Sequence, residues 1–165
     1  MIPCFEIFSI SPAFDIDLAA LEAEYFKAQR LFHPDRFVGK SSEERSQALQ
    51  KSMDVNKAYE ILKNPLKRAQ YLLQLQNIIV GTDTDSVKPS HELLMEVMEL
   101  REQFDAEENK DGKAKLVSQL KILYQNSLIE ISKYYANKMW EKMTQETMRL
   151  GYLVKILEEN KHIKL

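Results

Sequence analysis

The segment Tyr25-Phe26-Lys27-Ala28-Gln29-Arg30-Leu31-Phe32-His33-Pro34-Asp35-Arg36-Phe37 decides how the first half of the chain is read. Leu18, Leu21, Tyr25, Ala28 and Phe32 recur at three- and four-residue steps, which places them on one buried face of an α-helix. Asp17 stands where its carboxylate caps the first free amides, with Ile16 and Leu21 as a hydrophobic staple across that cap. Pro34 stops the helix, because its ring collides with the preceding turn and drives His33 out of the helical region. Asp35 to Lys40 must then be a loop. Beyond it Ser41 and Glu44 read as a capping box, and Ala48, Val55, Ala58, Tyr59 and Leu62 supply the apolar face of a second long helix. An antiparallel helical hairpin with an exposed tip at His33-Pro34-Asp35 follows.

Working outward, Phe5 to Ile10 is a short apolar block that fits one or two helical turns or a buried strand. Asn64-Pro65 reads as the cap and first residue of a short helix whose Ala69, Tyr71, Leu72 and Leu73 should lie against the hairpin core. The tract Gly81-Thr82-Asp83-Thr84-Asp85-Ser86 has no period and many turn formers, so a linker is placed at 77–88, between a first domain at 1–76 and a second at 89–165. That second part reads as three helices, about Ser90 to Glu107, Gly112 to Ala136 and Lys138 to Glu158, with Gly112 marking the first turn. A three-helix bundle is the simplest way to bury their apolar stripes.

Composition agrees with an all-α class. Only four glycines and five prolines interrupt 165 residues that are 44% hydrophobic. A formal charge of -2 gives no reason to expect nucleic acid, which calls for a dense basic face. One cysteine, Cys4, excludes an internal disulfide, and His33, His91 and His162 are too scattered to assemble a zinc or iron-sulfur ligand set, so no metal or cofactor is expected. The first 25 residues carry five carboxylates and no Lys or Arg, unlike a targeting peptide, and no apolar run approaches the roughly 20 residues that span a bilayer. A cytoplasmic protein that contacts no membrane is expected.

His-Pro-Asp by itself is a common turn. Here it follows a partly basic amphipathic helix and precedes a capped one, and in that setting the segment resembles the J-domain signature. Asn56-Lys57-Ala58-Tyr59-Glu60-Ile61-Leu62 and Asn64-Pro65-Leu66-Lys67-Arg68-Ala69-Gln70-Tyr71 extend the resemblance over most of the first 75 or so residues. The resemblance implies that His33, Pro34 and Asp35 dock on an ATP-bound chaperone of the heat-shock-70 type and promote hydrolysis there, with Lys27, Arg30 and Arg36 supplying local positive charge. No nucleophile, metal set or phosphate-binding loop accompanies His33 and Asp35, so no catalytic residue is assigned and the protein is read as no enzyme.

In the second half Leu93, Val97, Leu100 and Phe104 form a core stripe, whereas Leu94, Met95 and Met98 lie away from it beside Arg101, Glu102 and Asp105, as an apolar patch rimmed by charge. On the last helix Trp140, Met143, Thr147, Leu150 and Val154 share one face, and Met148, Tyr152 and Ile156 point elsewhere as a second surplus patch. Glu92-Leu93-Leu94-Met95-Glu96-Val97-Met98-Glu99-Leu100-Arg101-Glu102 is similar to the first C-terminal helix of the HscB family of iron-sulfur co-chaperones, and the stretch from Asn64 to Leu73 looks like that family too. The resemblance implies that the bundle binds an iron-sulfur scaffold protein of the IscU type and delivers it to an HscA-type chaperone. Carried over by position, Leu94, Met95, Met98, Glu99, Arg101, Glu102 and Tyr152 form the scaffold site. The chain lacks the cysteine-rich zinc module of general J-proteins and the paired-cysteine extension of many eukaryotic relatives, which favours the bacterial type. The competing expectation is a J-domain adaptor whose helical half recruits an unrelated client.

Overall fold

The computed structural model describes residues 2–81 and 87–161, and among them there are helices and turns but no strand. Thr82 to Ser86, the centre of the expected linker, and His162 lie outside the described residues. The chain divides into two compact units, Met1–Arg68 and Ala69–Leu165.

The first unit is organised around α3, Ser42–Lys63, on which α1 (Cys4–Ile7), α2 (Leu18–Phe32) and a 3-10 turn at Pro34–Phe37 all pack. Of the two forms open to the first apolar block, the helix is the one adopted. Asp17 caps α2, its carboxylate accepting from the amides of Ala19 and Ala20. Ser41 and Glu44 close the expected capping box: the serine hydroxyl accepts from the Glu44 amide, and the Glu44 carboxylate accepts from the Ser41 amide at 2.9 Å. Ala48, Val55, Ala58, Tyr59 and Leu62 are all buried, as their spacing requires.

Leu18 is not: it is 51% exposed, and on its helix only Leu21 is fully buried, while Tyr25, Ala28 and Phe32 are partly covered. The reason is register. Tyr25 stacks on Tyr59 with ring centroids 4.0 Å apart, so in an antiparallel pair Leu18 lies beyond the last turn of α3. The 3-10 turn likewise occupies part of what was expected to be irregular loop, and the chain then reverses at Gly39, whose φ of +83° is open to glycine at little cost.

The helix α4, Pro65–Gln74, starts under Asn64, whose side chain accepts from the Lys67 amide. Arg68 is buried although charged. Its guanidinium donates to the Leu62 carbonyl at 2.7 Å and the Phe14 carbonyl at 2.6 Å and lies over the Phe14 ring, so the last turn of α3 and the segment before α2 are tied through one side chain. Ala69, Tyr71, Leu72 and Leu73 are buried as expected.

In the second unit α7 (Trp140–Glu159) packs against both α5 (His91–Ala106) and α6 (Lys110–Ala136). Phe104, Val117, Leu120, Leu153 and Ile156 form a buried cluster drawn from all three helices, with Leu100 and Leu123 against it. Two expectations are corrected. Gly112 is inside the first turn of α6, because Asn109 takes the cap by accepting from the Asp111 amide. Met148 and Ile156 are buried at 7% and 1% exposure, so the last helix carries no second surplus patch. A helix with neighbours on two sides needs a wide apolar arc.

Replacing Ser41 with alanine removes the hydroxyl half of the capping box and should lower stability by about 1 kcal/mol, read as a shifted urea midpoint at unchanged slope. The amide and hydroxyl of Ser41 hold the Glu44 carboxyl below its ordinary 4.5. A lowered folded pKa means that the stabilisation is present above the ordinary value and disappears as pH falls through the folded one. Because the amide is the larger cause and alanine keeps it, the stabilisation from Glu44 should fall away in acid in the wild type and in Ser41→Ala alike.

Candidate functional site

Two exposed surfaces, one on each unit, carry the side chains singled out by sequence. At the hairpin tip His33 caps the 3-10 turn: its Nδ1 accepts from the Asp35 amide at 3.3 Å. Asp35 Oδ2 lies 3.6 Å from the same nitrogen. Both side chains face solvent, at 57% and 88% exposure, so the tripeptide is presented outward and not used in the core.

Rigidity comes from behind the tip. Gln29 Nε2 donates to Asn56 Oδ1 and to the Tyr25 hydroxyl, both at 2.7 Å, and the Lys51 ammonium lies 5.4 Å from the Phe32 ring centroid. With the Tyr25–Tyr59 stack these contacts pin α2 to α3 along its length. Arg36 folds back to donate to the Arg30 carbonyl at 3.3 Å, occupying one of the free acceptors at the end of α2. Phe26, Gln29, Arg30, His33 and Arg36 line a shallow depression of about 260 Å3 with an aromatic floor and a cationic rim. His33, Arg30 and Arg36 are thus brought together, and Asp35 joins them through His33. Lys27 stands apart, paired with Glu24 on its own helix.

On the second unit Leu93, Val97 and Phe104 of α5 are buried, while Leu94, Met95 and Met98 are 40%, 43% and 55% exposed. Glu99 and Glu102 are exposed beside them. Arg101 reaches across to α7, 3.3 Å from Glu159. Gln145, Tyr152 and Glu159 recur every seven residues, on one side of α7. Gln145 holds the Ser90 amide and the Lys88 carbonyl, and Glu159 holds Arg101, so the half-buried Tyr152 lies on the side of α7 that faces α5. That places it near the patch.

Sequence reasoning did not find Arg149. Its guanidinium donates to both carboxylate oxygens of Glu96 on α5 and to Glu146 on its own helix, and Glu146 in turn accepts from Ser127 of α6 at 2.6 Å. The bond to Glu96 outweighs partial burial and raises the guanidinium further above its ordinary value. Residues 53 apart in sequence give no local signal of such a pair.

Family models match both halves: one described as DnaJ domain at residues 4–71, and one described as HSCB C-terminal oligomerisation domain at residues 89–161. The chain is 33% identical over 164 residues to the co-chaperone protein HscB of Proteus mirabilis, with 97% of this chain and 94% of that protein covered. The chain belongs to the HscB co-chaperone family. It is similar in structure to HscB from Vibrio cholerae, at TM-score 0.85 and 28% identity with 97% and 96% of the two chains covered. Human HscB superposes at TM-score 0.88 and 28% identity over 96% of this chain and 80% of the human one. This HscB-family protein is therefore a J-domain co-chaperone, of a family that is not one of enzymes. No described helix is long and apolar enough to cross a membrane, and no group of three or more His, Cys, Asp or Glu side chains that could hold a metal occurs among the described residues.

Since Met98 projects from the folded unit, Met98→Asp should change stability by less than about 0.5 kcal/mol in denaturant titration, whereas Val97→Asp should prevent cooperative folding of that unit.

Proposed function

We propose that this protein stimulates ATP hydrolysis by a heat-shock-70-type chaperone, HscA-like, and hands it an iron-sulfur scaffold protein, IscU-like, so that a cluster carried by the scaffold can be transferred. The cluster is cargo. On this reading the J-domain at 1–76 acts through His33, Pro34 and Asp35, with Arg30, Arg36 and Lys27 attracting an acidic chaperone face, and the linker at 77–88 joins it to a scaffold-binding bundle at 89–165. The protein is cytoplasmic, holds no cofactor and has no catalytic activity of its own.

The observation that supports it most is the exposure of Leu94, Met95 and Met98 on a helix whose own core stripe is already buried. A monomeric fold gains nothing from three adjacent large apolar side chains in water, and methionine's flexible thioether suits an irregular protein contact. Glu99 and Glu102 beside them favour a partner with a basic rim. The competing reading, an adaptor for an unrelated client, is not favoured, because the likeness to HscB proteins runs through the second unit as well as the first.

Steady-state ATPase of an HscA-type chaperone tests the proposal. The wild-type chain should raise turnover, and an IscU-type scaffold added with it should raise it further than either alone. His33→Gln should reduce the stimulation at least tenfold. Met98→Asp should remove the part that depends on scaffold. Full stimulation by His33→Gln, or no effect of scaffold on the wild type, would refute the reading.

A further inference from the structure

We infer that Arg149 is a positioning residue for the α5 patch: its clamp on Glu96 fixes the roll of α5 and so keeps Leu94 and Met98 facing outward. The inference rests on the reading of that patch as the scaffold site.

The need for such a residue follows from the width of α5's apolar arc. At about 100° per residue, Leu93, Val97, Leu100 and Phe104 centre on one direction, and Leu94 lies about 90° and Met98 about 130° round from it on the same side. Apolar area alone does not choose between burying the first set and rolling the helix to bury part of the second. The flanks of the stripe decide. Glu96 lies about 70° to one side and Arg101 about 70° to the other. Each is tied to α7: Glu96 by the two-pronged bond from Arg149, Arg101 by Glu159. A roll that carried Leu94 inward would pull Glu96 off Arg149 and drag Arg101 toward the buried centre, where its charge would be stripped of water.

The two flanking pairs are not equal. Arg101 and Glu159 are 40% and 45% exposed, so their two contacts, at 3.3 and 3.5 Å, are long and screened by solvent. The side chains of Arg149 and Glu96 are 22% and 36% exposed, and the Arg149 guanidinium is braced a second time by Glu146, itself anchored on Ser127 of α6. The planar fork of an arginine can meet a carboxylate along two parallel bonds and so defines a rotation, which a point charge cannot. At its start α5 is held by Gln145, which accepts from the Ser90 amide and donates to the Lys88 carbonyl, both backbone groups ahead of the helix. That contact fixes where the helix begins, and the two flanking clamps, the Arg149 one foremost, fix its roll.

The test uses the full chain labelled with 13C at methionine methyls, a soluble paramagnetic probe, and binding of an IscU-type scaffold by calorimetry. Arg149→Met keeps the stem and removes the fork, Arg149→Lys keeps only the charge, and Glu96→Gln weakens the same clamp from α5 should either replacement at Arg149 fail to fold. The expected result is that Arg149→Met lowers probe broadening at the Met98 methyl and weakens scaffold binding about tenfold, with Arg149→Lys between it and the wild type. Loss of packing without a roll would leave that methyl as open as before or more so. Unchanged Met98 broadening in folded Arg149→Met and Glu96→Gln variants would overturn the inference. A wild-type chain that bound no scaffold would sink the proposed function, and the Met98 signal would still decide the roll of α5.

Discussion

A proline ring cannot follow the turn of helix before it, and at position 34 this single steric fact separates two long helices that would otherwise run on. The chain turns back through a 3-10 turn and Gly39, and α3 lies antiparallel along α2. Everything that orients the tip depends on that return: the Tyr25–Tyr59 stack, the Gln29–Asn56 bond and the Lys51–Phe32 contact pair residues whose numbers fall on one helix as they rise on the other. Because the stiffening contacts lie behind the turn, His33 and Asp35 owe nothing to the core and are left for recognition. The imidazole caps the turn it stands on, which gives its orientation without covering its outer edge.

The second unit meets the opposite problem. Its helices offer more apolar surface than three neighbours can cover, and the surplus is unevenly shared. The last helix, with a partner on two sides, absorbs Met148 and Ile156, which its sequence alone would have left outside. The first helix of the unit buries Leu93, Val97 and Phe104 and leaves Leu94, Met95 and Met98 in solvent. The unit thus converts a packing shortfall into a defined exposed surface.

Legibility followed the range of the interaction. Caps are decided within four residues, and Asp17, Ser41 with Glu44, Asn64 and the helix-ending Pro34 were all readable as written. The core stripe of α3 and the exposure of the α5 patch followed from helical period alone. Leu18 failed because burial needs a partner at the same height, and which residue of α3 stands opposite is set by pairing across the hairpin. Gly112 failed because a better cap, Asn109, stood three residues earlier. Arg68, Gln145 and Arg149 carry long-range bonds between residues that no local pattern joins. The roles of the site residues were legible only through likeness to a family, since exposure marks a surface as available without naming what meets it.

The central claim is that two separate surfaces serve two separate partners. Backbone amide shifts of the 15N-labelled chain, recorded with an ATP-loaded HscA-type chaperone and then with an IscU-type scaffold, address it most directly. The account predicts changes around residues 26–37 with the first and around residues 94–102 with the second, in either order of addition. Both partners perturbing one surface, or the chaperone leaving the hairpin tip unchanged, would contradict it.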